Sequence, residues 1–128
     1  MAVYLICTGL LGLLYLALTY NVSRVRRLKK ISLGDGDDPE MLGAVRAHAN
    51  FMEFVPLCLL LIYIMLDLYG FRTIACLSIA LLAARILHAA GLLGYLKPGR
   101  VLGAVGTMVI LLVCSMWIGL LGLGIRLY

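Results

Sequence analysis

The chain has 128 residues, of which 64% are hydrophobic and only 13% are charged. Soluble domains carry about 25% charged residues, so this composition excludes an ordinary soluble domain and indicates an integral membrane protein. The formal net charge at pH 7 is +5. Because the basic residues fall between apolar segments rather than on a soluble face, we expect no nucleic-acid partner.

The first apolar segment, Met1 to Asn21, contains no charged side chain. It matches the roughly 20 residues that a helix needs to cross a bilayer. A secretory signal peptide carries basic residues before its apolar run, whereas here they follow it, in RVRRLKK. We therefore predict that this segment is retained as a first transmembrane helix.

Three more apolar segments follow, separated by short polar turns. The linker GDGDDP ends at Pro39, which suits the first position of a helix because that position has no intrahelical partner for an N–H. The turn LKPG separates the last two segments. We predict an all-α integral membrane protein with a single domain, residues 1–128, in which four transmembrane helices form a left-handed-type bundle. The predicted helices are residues 2–27, 39–69, 72–96 and 99–125.

The glycines and the cysteines of these helices predict different features of the structure. Glycines at helical spacing predict close contacts between helices, whereas the cysteines fall one per helix without metal-ligand spacing. We therefore expect buried thiols and no metal. The glycine pairs are Gly9/Gly12, Gly103/Gly106 and Gly119/Gly122. The cysteines are Cys7, Cys58, Cys76 and Cys114.

Lysine and arginine are concentrated on one side of the predicted bundle. Short loops rich in these residues stay cytoplasmic, so we expect both termini on the non-cytoplasmic side. That side carries only Arg72 and Arg126. The basic residues of the cytoplasmic side are Arg24, Arg26, Arg27, Lys29, Lys30, Lys97 and Arg100.

The second helix carries polar residues within its apolar span, in RAHANFMEFVP. At about 100° per residue, Arg46, Asn50 and Glu53 fall within about 60° of one another, and His48 points roughly the other way. Polar groups in hydrocarbon are costly, so we predict that this face looks into the protein. His48, off this face, fits an interhelical or interfacial hydrogen bond better than a ligand contact.

The third helix supplies Arg85 and His88, one turn apart. Counted from the outer ends of their helices, Glu53 and Arg85 lie at the same depth, about 20 Å, and we predict that they form a supporting ion pair. Such a pair can also be a structural pin that only fixes helix register. The predicted pocket, cation-rich and open to the cytoplasmic side, also contains Arg26, Arg46, Asn50, His88 and Arg100.

These residues resemble a known family, the membrane-associated proteins in eicosanoid and glutathione metabolism (MAPEG), which includes microsomal glutathione transferase. The resemblance rests on Arg46, His48, Asn50, Glu53 and Pro56 in RAHANFMEFVP, with support from VRRLKK and ARILH. It implies a homotrimer that binds glutathione between helices of adjacent subunits. It also implies that Arg100 is catalytic. The glutathione contacts that the resemblance implies are Arg26, Arg46, Asn50, Glu53 and His88.

The resemblance implies a glutathione transferase or peroxidase, with glutathione as co-substrate and no metal. The electrophile would be lipophilic and arrive through the bilayer, and the short loops, like those of bacterial members, imply the bacterial inner membrane. Several positions depart from the contact residues of family members and argue against a prostaglandin or leukotriene synthase. These positions are Ala49, Phe54, Leu92 and Val101.

Two other function classes remain open from the sequence. One is a non-catalytic membrane scaffold of the same family. The other is a small multidrug or proton-coupled transporter, since four short helices with one membrane carboxylate also suit a carrier. A carrier needs a carboxylate that titrates, whereas Arg85 beside Glu53 would keep that carboxylate ionised.

Overall fold

The protein is a bundle of four long α-helices in the computed structural model, which describes residues 1–125 apart from the side chain of Asp67. All four are long and apolar enough to cross a membrane, and no strand occurs among the described residues. This confirms the predicted all-α, four-span fold. Arg126, which entered the orientation prediction, lies outside the described residues. The helices are α1 (Ala2–Lys29), α2 (Pro39–Ile64), α3 (Phe71–Leu92) and α4 (Gly99–Gly122).

The helix starts lie at or within one residue of their predicted positions, whereas the ends differ by two to five residues. After α2 the chain tightens into a 3₁₀ turn, Met65–Asp67, so the regular helix stops before the predicted residue 69. Past the ends of α3 and α4 the backbone turns through Gly94 and Gly124, each with positive φ. Glycine adopts this conformation without a steric penalty, and these turns close both helices earlier than hydropathy alone predicts.

The linker between α1 and α2 is tied by a small charged cluster. The Asp38 carboxylate accepts a hydrogen bond from the Met41 N–H at 2.9 Å and so caps α2. The Lys29 ammonium lies 3.0 Å from Asp38 and 3.1 Å from Glu40. The Met41 hydrogen bond, with help from Lys29, holds the pKa of Asp38 below its usual value. This cluster fixes the start of α2, on which the polar residues sit.

The packing of α3 against α4 depends on glycine. A methyl group on Gly103 would overlap the carbonyl oxygen of Ala84 and lie 2.6 Å from the His88 Cβ. Methyl groups on Gly91 and Gly99 would likewise overlap backbone atoms of the facing helix. The two backbones therefore approach more closely than any larger residue allows.

Of the three predicted glycine pairs, only Gly103/Gly106 contacts another helix of the same chain. A methyl group on Gly106 would lie 3.3 Å from the Ala84 Cβ. The remaining pairs face open space within one chain, with nothing within 4 Å of an added Cβ. Those four glycines are Gly9, Gly12, Gly119 and Gly122.

Candidate functional site

A cavity of about 300 Å³ opens between α2, α3 and α4 at the end of the bundle that carries the α1–α2 linker and the α3–α4 turn. Four of the predicted site residues line it, namely Arg46, Asn50, His88 and Arg100. Its volume is at the lower end of the range for small-molecule sites. The remaining lining residues are Pro39, Leu42, Gly43 and Leu92.

Two polar side chains of α2 enter the cavity one helical turn apart. Arg46 is exposed and Asn50 is half-buried. At about 100° per residue they differ by only about 40° in direction, so one face of α2 presents both. The guanidinium of Arg46 therefore stands nearer the opening and the amide of Asn50 nearer the core.

Arg85 lies behind this face and is 1% exposed. Its Nη2 donates a hydrogen bond to the Asn50 Oδ1 at 2.9 Å. Its Nε and Nη1 are buried and have no hydrogen-bond partner among the described residues. A buried guanidinium thus stands directly behind the cavity, and Asn50 connects the two.

The ion pair predicted between Arg85 and Glu53 is not formed within one chain. The ion pairs among the described side chains all lie at the linker between α1 and α2. Glu53 is exposed and lies about 60° around α2 from Asn50, the residue that Arg85 contacts. Arg85 instead contacts the Asn50 amide, one turn earlier in α2. Equal depth in the membrane was therefore not sufficient to bring the charges of Arg85 and Glu53 together. A pair between subunits stays a prediction.

His88 joins α3 to the first turn of α4. Its Nδ1 lies 2.8 Å from the carbonyl oxygen of Arg100, and the side chain is 4% exposed. Since a carbonyl oxygen can only accept, the Nδ1 carries the hydrogen and donates it. The Nε2 is buried without a hydrogen-bond partner among the described residues.

Two further predicted residues lie outside the cavity within one chain. The Arg26 Nη1 donates hydrogen bonds to the carbonyl oxygens of Gly34 at 2.9 Å and Ser32 at 3.4 Å. Arg26 thus binds the backbone of the α1–α2 linker. The His48 ring stacks on Tyr15 of α1, with ring centroids 5.0 Å apart. The contact of His48 with α1 is therefore ring stacking and not the predicted hydrogen bond.

Three residues at the start of α2 also line the cavity but were not predicted from the sequence. Leu42 and Gly43 precede Arg46 by four and three residues, so helical spacing places them on the same face. Position 43 has no room for a larger residue, because a Cβ on Gly43 would lie 2.8 Å from the carbonyl oxygen of Leu92. The third missed residue is Pro39.

Three cations dominate the electrostatics of this site. Arg46 and Arg100 line the cavity and Arg85 stands behind it, whereas no carboxylate is among the lining residues. Guanidinium groups bind carboxylates through paired hydrogen bonds. The arrangement therefore suits a small anionic ligand. No cluster of three or more His, Cys, Asp or Glu side chains suited to a metal occurs in the part of the chain that the structure describes.

Comparison with known proteins gives a family and a small number of relatives. The sequence model of the MAPEG family matches residues 4–121. The chain is similar to the inner membrane protein YecN of Escherichia coli K12, with 32% identity over 79 residues. The protein of that name from Escherichia coli O6:H1 (strain CFT073) gives the same values. Each match covers 60% of this chain and 60% of the relative. No solved structure matches the chain.

Proposed function

This chain belongs to the MAPEG family, and on that premise we propose that it is a membrane-bound glutathione transferase or peroxidase. It activates the thiolate of glutathione for attack on lipophilic electrophiles. The observation that carries the proposal is the single cavity in which Arg46, Asn50, His88 and Arg100 converge. Arg46, Asn50 and His88 are among the glutathione contacts that the family resemblance implies, and Arg100 is the residue that it implies to be catalytic.

The charges of glutathione support this assignment. The tripeptide carries two carboxylates and one ammonium at neutral pH, so its net charge is opposite to that of the cavity. Arg46 and Arg100 are exposed within one chain, and each offers a planar set of donors to a carboxylate. Asn50 offers an amide that is already oriented by its hydrogen bond to Arg85.

The chemistry needs a thiolate, because the thiol itself is a weak nucleophile. A cation beside the sulfur lowers the thiol pKa, and we assign this role to Arg100. The thiol proton passes to solvent at the open end of the cavity. The sulfur then forms a bond to the electrophilic carbon while the leaving group departs with the bonding electrons. Glutathione is the only co-substrate, and no metal takes part in this reaction.

The working unit in this proposal is a homotrimer with glutathione between adjacent subunits. Glu53 is exposed on the surface of its own chain, and Arg26 does not line its own chain's cavity. A neighbouring copy placed against the open cavity would bring both residues toward the ligand. Glu53 would then offer a carboxylate to the glutathione ammonium.

The proposal also places the protein in the inner membrane, as the name of its relative YecN states for that protein. The cavity lies at the end of the bundle that carries the basic last turn of α1 and the α3–α4 turn with Lys97. Short basic loops stay cytoplasmic, so the cavity opens to the compartment that contains glutathione. The lipophilic electrophile reaches it from the bilayer.

The test is a glutathione titration of detergent-purified, folded protein. Calorimetry should show binding of glutathione and weaker binding of an analogue without its carboxylates. The absorbance of the bound thiolate, followed across a pH series, should give a thiol pKa lower than that of free glutathione. Arg100→Leu should still bind glutathione but raise that pKa and slow conjugation to an aryl halide. Lys97→Leu, which removes an exposed cation from the adjacent turn outside the cavity, is the matched control.

Absence of heat with glutathione in folded protein would contradict the enzyme proposal. A second candidate, a non-catalytic scaffold of the family, would then be favoured. The observation behind this candidate is Leu92, which gives the cavity an apolar wall where several family members have a tyrosine. The scaffold predicts that folded wild-type protein leaves the thiol pKa of added glutathione unchanged.

A further inference from the structure

The first turn of α4 is held against α3 at unusually short range. Methyl groups on Gly91 and Gly103 would overlap the Arg100 backbone and the Ala84 carbonyl, respectively. The glycines permit this approach but do not fix its register, because contact between small residues is not directional. A directional interaction is needed to hold Arg100 at one position along α3.

His88 supplies the directional interaction. Its Nδ1–H donates to the Arg100 carbonyl oxygen at 2.8 Å, in a site where His88 is 4% exposed. A hydrogen bond shielded from water is stronger than one at the surface, and its loss leaves a buried group unsatisfied. The other ring nitrogen, Nε2, is buried and lacks a hydrogen-bond partner among residues 1–125. The polar contact of the ring within the chain is therefore with α4.

We propose that His88 is a positioning residue, which fixes the first turn of α4 and thereby the point from which the Arg100 side chain extends. This role differs from the direct glutathione contact that the family resemblance implies. The catalytic consequence rests on the proposed function, in which Arg100 stabilises the thiolate. Displacement of a catalytic group by about 1 Å can cost about 100-fold in rate, so a shifted first turn is sufficient to impair catalysis.

The test uses two amide substitutions that differ in the position of the donor. In His88→Asn the amide nitrogen stands where Nδ1 stood, so the bond to the Arg100 carbonyl can be kept. In His88→Gln the amide nitrogen lies one bond further out, near the former Nε2, so that bond is lost. Ser78→Ala is the matched control, because it removes a buried hydrogen bond of α3, from Ser78 to Ile74, far from the cavity.

The first readout does not depend on glutathione. Hydrogen–deuterium exchange of the backbone amides of residues 99–104 should be faster in His88→Gln than in wild type. It should be unchanged in His88→Asn and Ser78→Ala. Equal exchange in the Gln and Asn variants would overturn the proposal, as would unfolding of both, since the Asn donor retains the proposed bond. Unfolding of the Gln variant alone supports it.

The second readout measures the catalytic consequence. His88→Gln should bind glutathione with affinity within about threefold of wild type, while the thiol pKa rises by about one unit and kcat falls about tenfold. His88→Asn should resemble wild type in all three. An affinity loss in His88→Gln as large as its kcat loss would identify a ligand contact and overturn the positioning role. If wild type binds no glutathione, the proposed function fails, and the exchange measurement still decides whether His88 holds α4.

Discussion

Arg85 is the largest side chain that is fully buried among the described residues, and it carries a charge. Its only side-chain hydrogen-bond partner among residues 1–125 is Asn50, a neutral amide. A guanidinium stays protonated in proteins, so burial alone cannot neutralise it. The free energy of this arrangement therefore depends on Asn50, because the predicted ion pair with Glu53 is not formed within one chain.

The coupling of these two residues can be measured by a double-mutant cycle. Asn50→Leu removes the partner of a buried charge and should lower the free energy of unfolding by about 1–3 kcal/mol. Arg85→Met removes the charge at similar volume and should cost less, because replacement of a buried charge by an apolar side chain is often neutral or stabilising. The double variant should be more stable than Asn50→Leu alone.

Thermal unfolding in detergent without glutathione provides the measurement. A large loss of stability in Arg85→Met would contradict the expectation. It would show that Arg85 has a counter-ion in the assembled protein, for which Glu53 of an adjacent subunit is the predicted group.

At the scale of the elements, α3 and α4 are packed through a row of glycines on facing surfaces. Without a hydrophobic driving force between helices in lipid, close van der Waals contact provides much of the association. Gly103 is one of these glycines, and a Cβ added to it would overlap atoms of both Ala84 and His88. The same contact positions the first turn of α4 and therefore Arg100.

Gly103→Ala should separate the two helices locally. The added methyl group has no room beside the Ala84 carbonyl and the His88 Cβ, and overpacking of this kind costs about 1–3 kcal/mol. Gly119→Ala is the matched control in the same helix, because nothing lies within 4 Å of its added Cβ. Equal thermal stability of the two variants would contradict this expectation. It would mean that α3 and α4 can move apart to accommodate the methyl group without loss of folding free energy.

At the scale of the whole molecule, a single chain exposes charged side chains on a surface of α2 that would face lipid. Arg46 and Glu53 are exposed on the same face of α2, within its membrane-spanning length. Charged groups facing hydrocarbon are costly, so a second protein surface or a polar ligand should cover them. The glycine pairs of α1 and of the end of α4, which face open space within one chain, offer further surfaces for close contact.

We therefore expect copies of the chain to associate, and the family resemblance implies that the assembly is a trimer. Native mass spectrometry in a mild detergent should detect a trimer, and a series of progressively harsher detergents should convert it to monomer. The monomer fraction should show weaker glutathione binding, since the proposed ligand site includes residues of two subunits. Detection of monomer or dimer alone in the mildest detergent, in protein that is folded, would contradict the trimer.

How much of this protein follows from the sequence depends on the range of each interaction. Span length and the side of the bundle that carries basic residues are properties of consecutive residues, so the four helices and their starts were predictable. The shared face of Arg46 and Asn50 also follows from helical periodicity alone. Both line the cavity between α2, α3 and α4.

The contacts between helices were decided by the tertiary structure. Periodicity gives directions within one helix but not the rotation of that helix against its neighbours, which depends on packing such as that of Gly103 on α3. In the observed rotation, Arg85 donates its hydrogen bond to Asn50 and does not pair with Glu53. Glu53 is exposed on the surface of the chain. The bond from His88 to a backbone carbonyl of α4 had no sequence signal, because every residue has a carbonyl and only the fold brings this one within reach.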